Sequence, residues 1–269
     1  MVVTGASSGI GLVTARELCA HGARVILAGR DVEKGREVAK DFVGDHEVRD
    51  LNLADLDSVR GFANQWTGDL AVLINNASIM MAPAFRTLDD FELHIGTNHL
   101  GPFALTNLLL PFITDRVVTV SSVLHRKGHI HLDDFHFDAR PYDAMSAYRD
   151  SELANLLFTL ELQRRLSERG SPVRSVAAHP GIARTNLVAH VGGFGGLVNT
   201  VTQRLCNDAL KGASPTLFAA TQDIPGGSYV GPDRPRAGLS RRARDVTTCP
   251  GCRSGSKALG GLGPAHPDW

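Results

Sequence analysis

Apolar positions along the chain recur in two ways. Short β-branched or aliphatic runs alternate with longer segments in which apolar residues return every three to four positions. The short continuous runs fit strands covered on both faces, and the longer segments fit amphipathic helices. The pattern predicts strands at Val2–Thr4, Arg24–Ala28, His46–Asp50, Ala71–Ile74, Val117–Ser121, Val173–Ala177 and Ser228–Val230. It predicts helices over Ile10–His21, Val32–Val43, Leu56–Trp66, Thr87–Ile95, Leu100–Ile113, Ser146–Arg169 and Ser214–Thr221. Alternation of this kind implies an α/β fold: a doubly wound, Rossmann-type parallel sheet of about seven strands in a single domain. The first strand is short for one expected mid-sheet. From Gly231 onward Gly, Pro and Arg replace apolar residues, so a domain over 1–230 and a partly disordered tail over 231–269 are expected.

Composition narrows the function. A chain of 269 residues can bury one large core. With 28 basic against 28 acidic residues, no electrostatic case exists for nucleic acid or an anionic membrane. No run approaches the roughly 20 apolar residues of a membrane helix, and nothing reads as a signal peptide. A soluble cytoplasmic protein with reduced thiols is the expectation. Of the four cysteines, Cys249 and Cys252 form a C-P-G-C pair that reads as a turn, and no metal site is expected.

The segment "VVTGASSGIG" carries the first chemistry. A strand runs into Gly5, Gly9 and Gly11 and then into a helix opening near Ile10. Glycines let backbone approach a phosphate, and the helix N-terminus directs free N–H groups at a pyrophosphate. Ser7 and Ser8 add hydroxyl donors. After the second strand Arg30 stands where a dinucleotide fold meets the adenosine ribose. A guanidinium suits the 2′-phosphate of NADP, whereas an acid would suit NAD. Asp31 is such an acid, but reads as the N-cap of the next helix. NADP(H) is expected ahead of NAD(H). Ser121 and Ser122 end an apolar strand, on the edge where open α/β sheets bind ligands, or simply form a turn. Asn98 is either a site residue or a helix N-cap.

The glycine spacing, followed in order by "RDLNLAD", "LINNAS", "GTNHLGPFALTNLLLP", "VVTVSS", "YRDSELANLLF" and "HPGIART", resembles the short-chain dehydrogenase/reductase family. The segments "FELHIGTNHLG" and "ELANLLFTLEL" are most similar to its retinol-dehydrogenase-like branch. The resemblance implies an oxidoreductase moving hydride between a nicotinamide and a carbonyl or alcohol carbon of a small, lipophilic molecule. It implies that Asp50 and Leu51 flank the adenine, and that Asn75, Asn76 and Ala77 line the cofactor and brace the sheet. Ser78 departs from the family's usual glycine. By the same resemblance Asn98 holds a water in a proton relay, Ser122 hydrogen-bonds the substrate oxygen, and Tyr148 is the acid or base. Pro180, Gly181 and Thr185 hold the nicotinamide side. Similar proteins associate through the two long helices after the fourth and fifth strands, so a homodimer or homotetramer is an option.

One residue breaks the pattern. Positions i and i+4 share a helix face, so Tyr148 and residue 152 project into one site. The family has lysine at the second position, where its charge lowers the tyrosine pKa. Here it is Glu152. Two unit charges about 5 Å apart at an effective dielectric near 20 interact by roughly 3 kcal/mol, so reversing the sign shifts the phenolate by about 6 kcal/mol. Tyr148 should stay neutral, and base-dependent alcohol oxidation should suffer most. The expectation is impaired catalysis. The alternative is a non-catalytic NADP(H)-binding protein acting as a sensor or interaction partner. The Gly-rich, apolar stretch from Asn186 to Ala213 suits a lid, and His125, His129, His131 and His136 read as surface histidines of a loop.

Overall fold

The computed structural model describes residues 1–181, 201–232 and 243–245. Seven strands run parallel: β1 (Val2–Thr4), β2 (Val25–Gly29), β3 (His46–Asp50), β4 (Leu70–Asn75), β5 (Ile113–Val120), β6 (Arg174–Ala178) and β7 (Tyr229–Pro232). An eighth, β8 (Ala243–Asp245), pairs antiparallel with β7. The order is β3-β2-β1-β4-β5-β6-β7-β8, so chain direction across the sheet reverses between β1 and β4. Open α/β sheets bind ligands in the crevice at such a reversal, outside the carboxyl ends of the strands. Although β1 has three residues, it is mid-sheet and buried on both faces, pairing with β2 and β4.

Neighbouring strand residues point to opposite faces, and both faces are apolar. Val2, Ile26, Leu73 and Val117 pack with Phe62, Leu105, Leu109, Phe158 and Leu162. Those partners come from helices α3 (Leu56–Asn64), α5 (Gly101–Leu109) and α6 (Ala144–Glu168). Val3, Leu27, Ile74 and Val118 pack on the other side with Ala15, Leu18, Ala39 and Ala219. These lie on α1 (Gly9–Ala20), α2 (Val32–Ala39) and α7 (Val201–Thr221). Strands covered twice are the reason their sequences read as continuous apolar runs.

Three expectations are corrected. The helix predicted over Thr87–Ile95 begins only at α4 (Leu93–Ile95). Ahead of it Asp90 has a left-handed backbone (φ 65°), and the Thr87 hydroxyl accepts from the N–H groups of Asp89 and Phe91. Those local bonds compete with a helix, and Glu92 then caps it by accepting from His94 N (2.9 Å) and Ile95 N (2.8 Å). Second, α4 does not stop before the next helix; a π-helical turn, Gly96–Leu100, joins it to α5. Third, α7 begins at Val201, with Pro215 inside it, so 201–213 of the expected lid is helix. The remainder of that lid, Thr185, the C-P-G-C pair and most of the tail lie outside the described residues, while Gly231, Pro232 and Ala243–Asp245 of the tail belong to the sheet.

Candidate functional site

The carboxyl ends of β1, β4, β5 and β6 lie along one edge of the sheet, with α1 packed on β1 and α6 on β5 and β6. At the first of these ends the sequence forces close packing. Gly5 has φ 66°, and a Cβ there would lie 2.9 Å from Ala77 Cα. A Cβ at Gly11 would lie 2.3 Å from Asn76 Nδ2 and 2.5 Å from the Gly5 carbonyl oxygen. The Thr4 hydroxyl accepts from the N–H groups of Asn76 and Ala77, both at 3.0 Å, while Asn76 Nδ2 donates to the Thr4 carbonyl (2.8 Å). The pairs lock β1 to β4. Sequence reasoning missed Thr4, whose only signal was being the last residue of the strand.

This corner fits a dinucleotide phosphate. Ser8 is the N-cap of α1 and makes no side-chain capping bond, and the first turn carries no acid. Ser7 is half-buried, and Ser8 and Gly9 are exposed, ahead of buried Ile10. Arg30 follows β2 and is exposed. Asp31 caps α2 as expected, accepting from Lys34 N (2.9 Å). Asp50 is exposed at the end of β3. Leu51 is in the core, so only its backbone is left to face a ligand. Asn75 donates through Nδ2 to the Thr106 hydroxyl (2.8 Å), and its buried Oδ1 has no partner. At the end of β6, His179 Nδ1 accepts from Gly181 N (3.1 Å), just after Pro180.

At the other side the helices carry side chains inward. Asn98 lies within the π turn, which rules out the N-cap alternative. Its Oδ1 accepts from Ile79 N (2.8 Å), and its Nδ2 donates to the Ile79 carbonyl (2.9 Å) and the Ser151 hydroxyl (3.0 Å). The side-chain amide is thus engaged by protein on both its polar atoms. Pro102, four residues on, has no N–H to offer the Asn98 carbonyl. Ser151 in turn donates to the Tyr148 carbonyl (2.8 Å). Ser122 forms the expected turn, capping a 3-10 segment by accepting from Leu124 N (3.2 Å), and it sits beside Tyr148.

Glu152 is 1% exposed, one turn after Tyr148 on α6. Ser78 Oγ donates to its Oε1 (3.3 Å), and Ser121 Oγ donates to its main-chain carbonyl (3.0 Å). Burial pushes the carboxyl up to about 8, against the pull of hydrogen bonds from the Ser78 hydroxyl and the Ser122 backbone. Burial raises Tyr148 well above an ordinary phenol, the charge of Glu152 raises it further, and the Ser122 hydrogen bond opposes both. Two sequence expectations change. The raised value favours the neutral carboxyl at ordinary pH, so against the lysine that the resemblance implies, Glu152 would be a charge removed and not a charge reversed. The penalty on a phenolate is then nearer roughly 3 kcal/mol than 6. His125 is no surface residue: it is buried, with Nδ1 at 2.6 Å from the Ser122 carbonyl oxygen and its ring against Tyr229. Among the described residues no cluster of His, Cys, Asp and Glu could hold a metal ion, and no helix is long and apolar enough to cross a membrane.

Comparison with known proteins agrees with this geometry. The short chain dehydrogenase family model matches residues 1–193. Human retinol dehydrogenase 11 is 48% identical over 202 residues, covering 71% of this chain and 63% of that protein. The chain therefore spans under two thirds of that relative's length. The crystal structure of an uncharacterised protein from Mycobacterium paratuberculosis, 51% identical, superposes with a TM-score of 0.82 over 96% of this chain and 88% of its own. A short chain dehydrogenase from Burkholderia cenocepacia, solved with NADP, shares the fold at 23% identity and a TM-score of 0.63, covering 86% of this chain and 94% of its own. With a matched family model over most of its length and a sheet, glycine turn and tyrosine helix in the corresponding order, the chain belongs to the short-chain dehydrogenase/reductase family of nicotinamide-dependent oxidoreductases.

Proposed function

We propose that the protein binds NADP(H) and moves hydride between the nicotinamide and the carbonyl or alcohol carbon of a lipophilic small molecule, slowly, because Glu152 takes the lysine position. The observation that carries this reading is a buried acid set one turn from a buried tyrosine in an otherwise assembled site. When bound, the nicotinamide supplies or accepts the hydride. Tyr148, neutral at ordinary pH, donates its phenolic proton to a carbonyl oxygen as that oxygen becomes an alkoxide. The Ser122 hydroxyl holds the same oxygen. Asn98 fixes Ile79 and, through Ser151, the backbone at Tyr148. No cation at position 152 stabilises the resulting phenolate, so the barrier rises in the reductive direction. Oxidation suffers more, because it needs the phenolate as a base at the outset.

NADP(H) over NAD(H) rests on Arg30, exposed after β2, and on Asp31, whose carboxylate is engaged in capping α2. Gly5, Gly9, Gly11, Ser7 and Ser8 would receive the pyrophosphate, Asp50 and the Leu51 backbone the adenine, and Asn75 to Ala77 with Pro180 and Gly181 the nicotinamide half. Similarity to a relative named for retinol supports a lipophilic alcohol or aldehyde as the substrate class. The raised Tyr148 also favours a second reading, a dinucleotide-binding protein with no turnover.

The test is NADPH oxidation with a panel of lipophilic aldehydes and ketones, wild type beside Glu152→Lys. The variant is expected to be at least about 100-fold faster, the low end for a positioned proton-transfer group. Turnover in the variant alone supports the second reading for the native chain, and comparable rates would refute the role given to Glu152.

A further inference from the structure

Glu92, His94 and Tyr142 form a buried polar network that none of the steps above uses. His94 is 0% exposed, and its ring meets the Tyr148 ring edge-on at 6.5 Å between centroids. Its Nε2 accepts from Ala82 N (3.2 Å), which leaves the ring proton on Nδ1, 2.9 Å from Glu92 Oε1. The Tyr142 hydroxyl donates to the Ala82 carbonyl (2.8 Å) and lies 3.2 Å from His94 Nδ1. Both faces of residue 82 are therefore held. Three residues earlier, Asn98 grips both polar groups of Ile79, and Ser78 is tied to Glu152.

Between the two clamps stand Met80 and Met81. Met81 has φ 58°, a left-handed backbone that a non-glycine residue adopts only where its surroundings impose it. It is 43% exposed, at a segment whose flanks touch Tyr148 through His94 and Glu152 through Ser78. Methionine is flexible and polarizable, suited to lining variable apolar ligands. We infer that the Met80–Met81 pair is the apolar wall that receives the hydrocarbon part of the substrate. Glu92, His94 and Tyr142 are positioning residues that hold this wall against Tyr148. The inference rests on the hydride-transfer reading above, and it calls for an apolar group next to the reacting carbon.

The chain has four methionines, Met1, Met80, Met81 and Met145, so methyl-13C-methionine labelling of the full chain gives four assignable methyl signals. Hexan-1-ol, octan-1-ol and decan-1-ol are titrated with and without NADP+, whose own binding is followed separately by calorimetry. The Met81 methyl is expected to shift saturably, with affinity rising about fourfold per added methylene. Met81→Ser should flatten that increment to under about twofold. Tyr142→Phe, which keeps the ring and removes the hydroxyl, should flatten it in the same direction while NADP+ affinity is unchanged. A merely structural role would weaken all three alcohols alike. A still Met81 methyl under bound alcohol, no saturable alcohol binding at all, or an unchanged chain-length series in Tyr142→Phe overturns the inference. Failure of NADP+ to bind would instead overturn the cofactor reading, and the methyl shifts recorded without NADP+ would still decide the wall.

Discussion

The dinucleotide corner, where β1, α1 and β4 meet, and the proton-transfer corner, where β5 and α6 meet, are built from different materials. The first is backbone: glycines without room for a Cβ, a threonine hydroxyl shared by two N–H groups, and a helix N-terminus. None of these groups titrates near neutral pH. The second is side chains: a phenol and a carboxylic acid, both buried and both moved off their ordinary pKa by that burial. The contrast teaches that, on the proposed reading, the groups meant to bind and the groups meant to move protons can be altered one at a time. On the proposed reading, a substitution at 152 alters proton transfer and leaves the glycine turn unchanged.

The comparison breaks hardest at Gly11. Gly11→Val sets a branched side chain where a Cβ alone would be 2.3 Å from Asn76 Nδ2, so NADPH binding should fall by at least about 100-fold by fluorescence titration. Urea denaturation should show a loss of about 1–3 kcal/mol from overpacking. A Gly11→Val protein that binds NADPH normally would mean that the glycine cradle is not the phosphate site.

A sharper cut separates stability from binding. The Glu152 carboxyl is raised from 4.5 to about 8 on folding, so the folded chain keeps a proton that the unfolded chain has lost between those values. The contribution of Glu152 is therefore fully present below the unfolded value. It declines as pH rises toward about 8 and levels off above it. The slope is about 1.4 kcal/mol per pH unit in that window. Glu152→Gln should remove this component, so the variant gains on wild type steadily from pH 5 to pH 8 in chemical denaturation. Parallel curves for the two proteins would place the carboxyl in water.

Smaller effects sharpen the cofactor corner. Arg30→Ala should weaken NADPH by roughly 10-fold, about 1.4 kcal/mol for one charge-assisted contact, and leave NADH unchanged. Equal losses for both cofactors would remove Arg30 from the 2′-phosphate. Asp31→Ala should cost about 1 kcal/mol through loss of the α2 cap, a fall in Tm of about 2–4 °C. A gain in NADPH affinity in that variant would show that Asp31 also faces the ribose.

What the sequence made legible follows the same division. The strands β1 to β7, the glycine turn and the cap at Asp31 are local matters of period, φ and short hydrogen bonds, and each was readable at its own position except the first four residues of β5, Ile113–Arg116, which precede the expected strand. The β8 segment, Ala-Arg-Asp, carries no apolar pattern, yet it pairs antiparallel with β7. The false helix over Thr87–Ile95 has helical spacing, and it yields to a threonine hydroxyl and to Asp90. The spacing of Tyr148 and Glu152 predicted a shared face, but the protonation of Glu152 depends on the absence of water around it, a property of the folded surroundings. The network of Glu92, His94 and Tyr142 joins residues about fifty positions apart, where neither periodicity nor motif reaches.

The π turn at Gly96–Leu100 has its own consequence. A π turn is an α-helix carrying one surplus residue, and each residue of an α-helix advances the face by about 100°. Deleting any one of those five residues would let the helix from Leu93 to Leu109 close into regular α geometry. The mended helix would be the better helix in isolation. It would also swing either Asn98 or the core residues Leu105 and Leu109 out of their places. This site is thus written as an interruption in a regular element, and repairing the interruption would erase it.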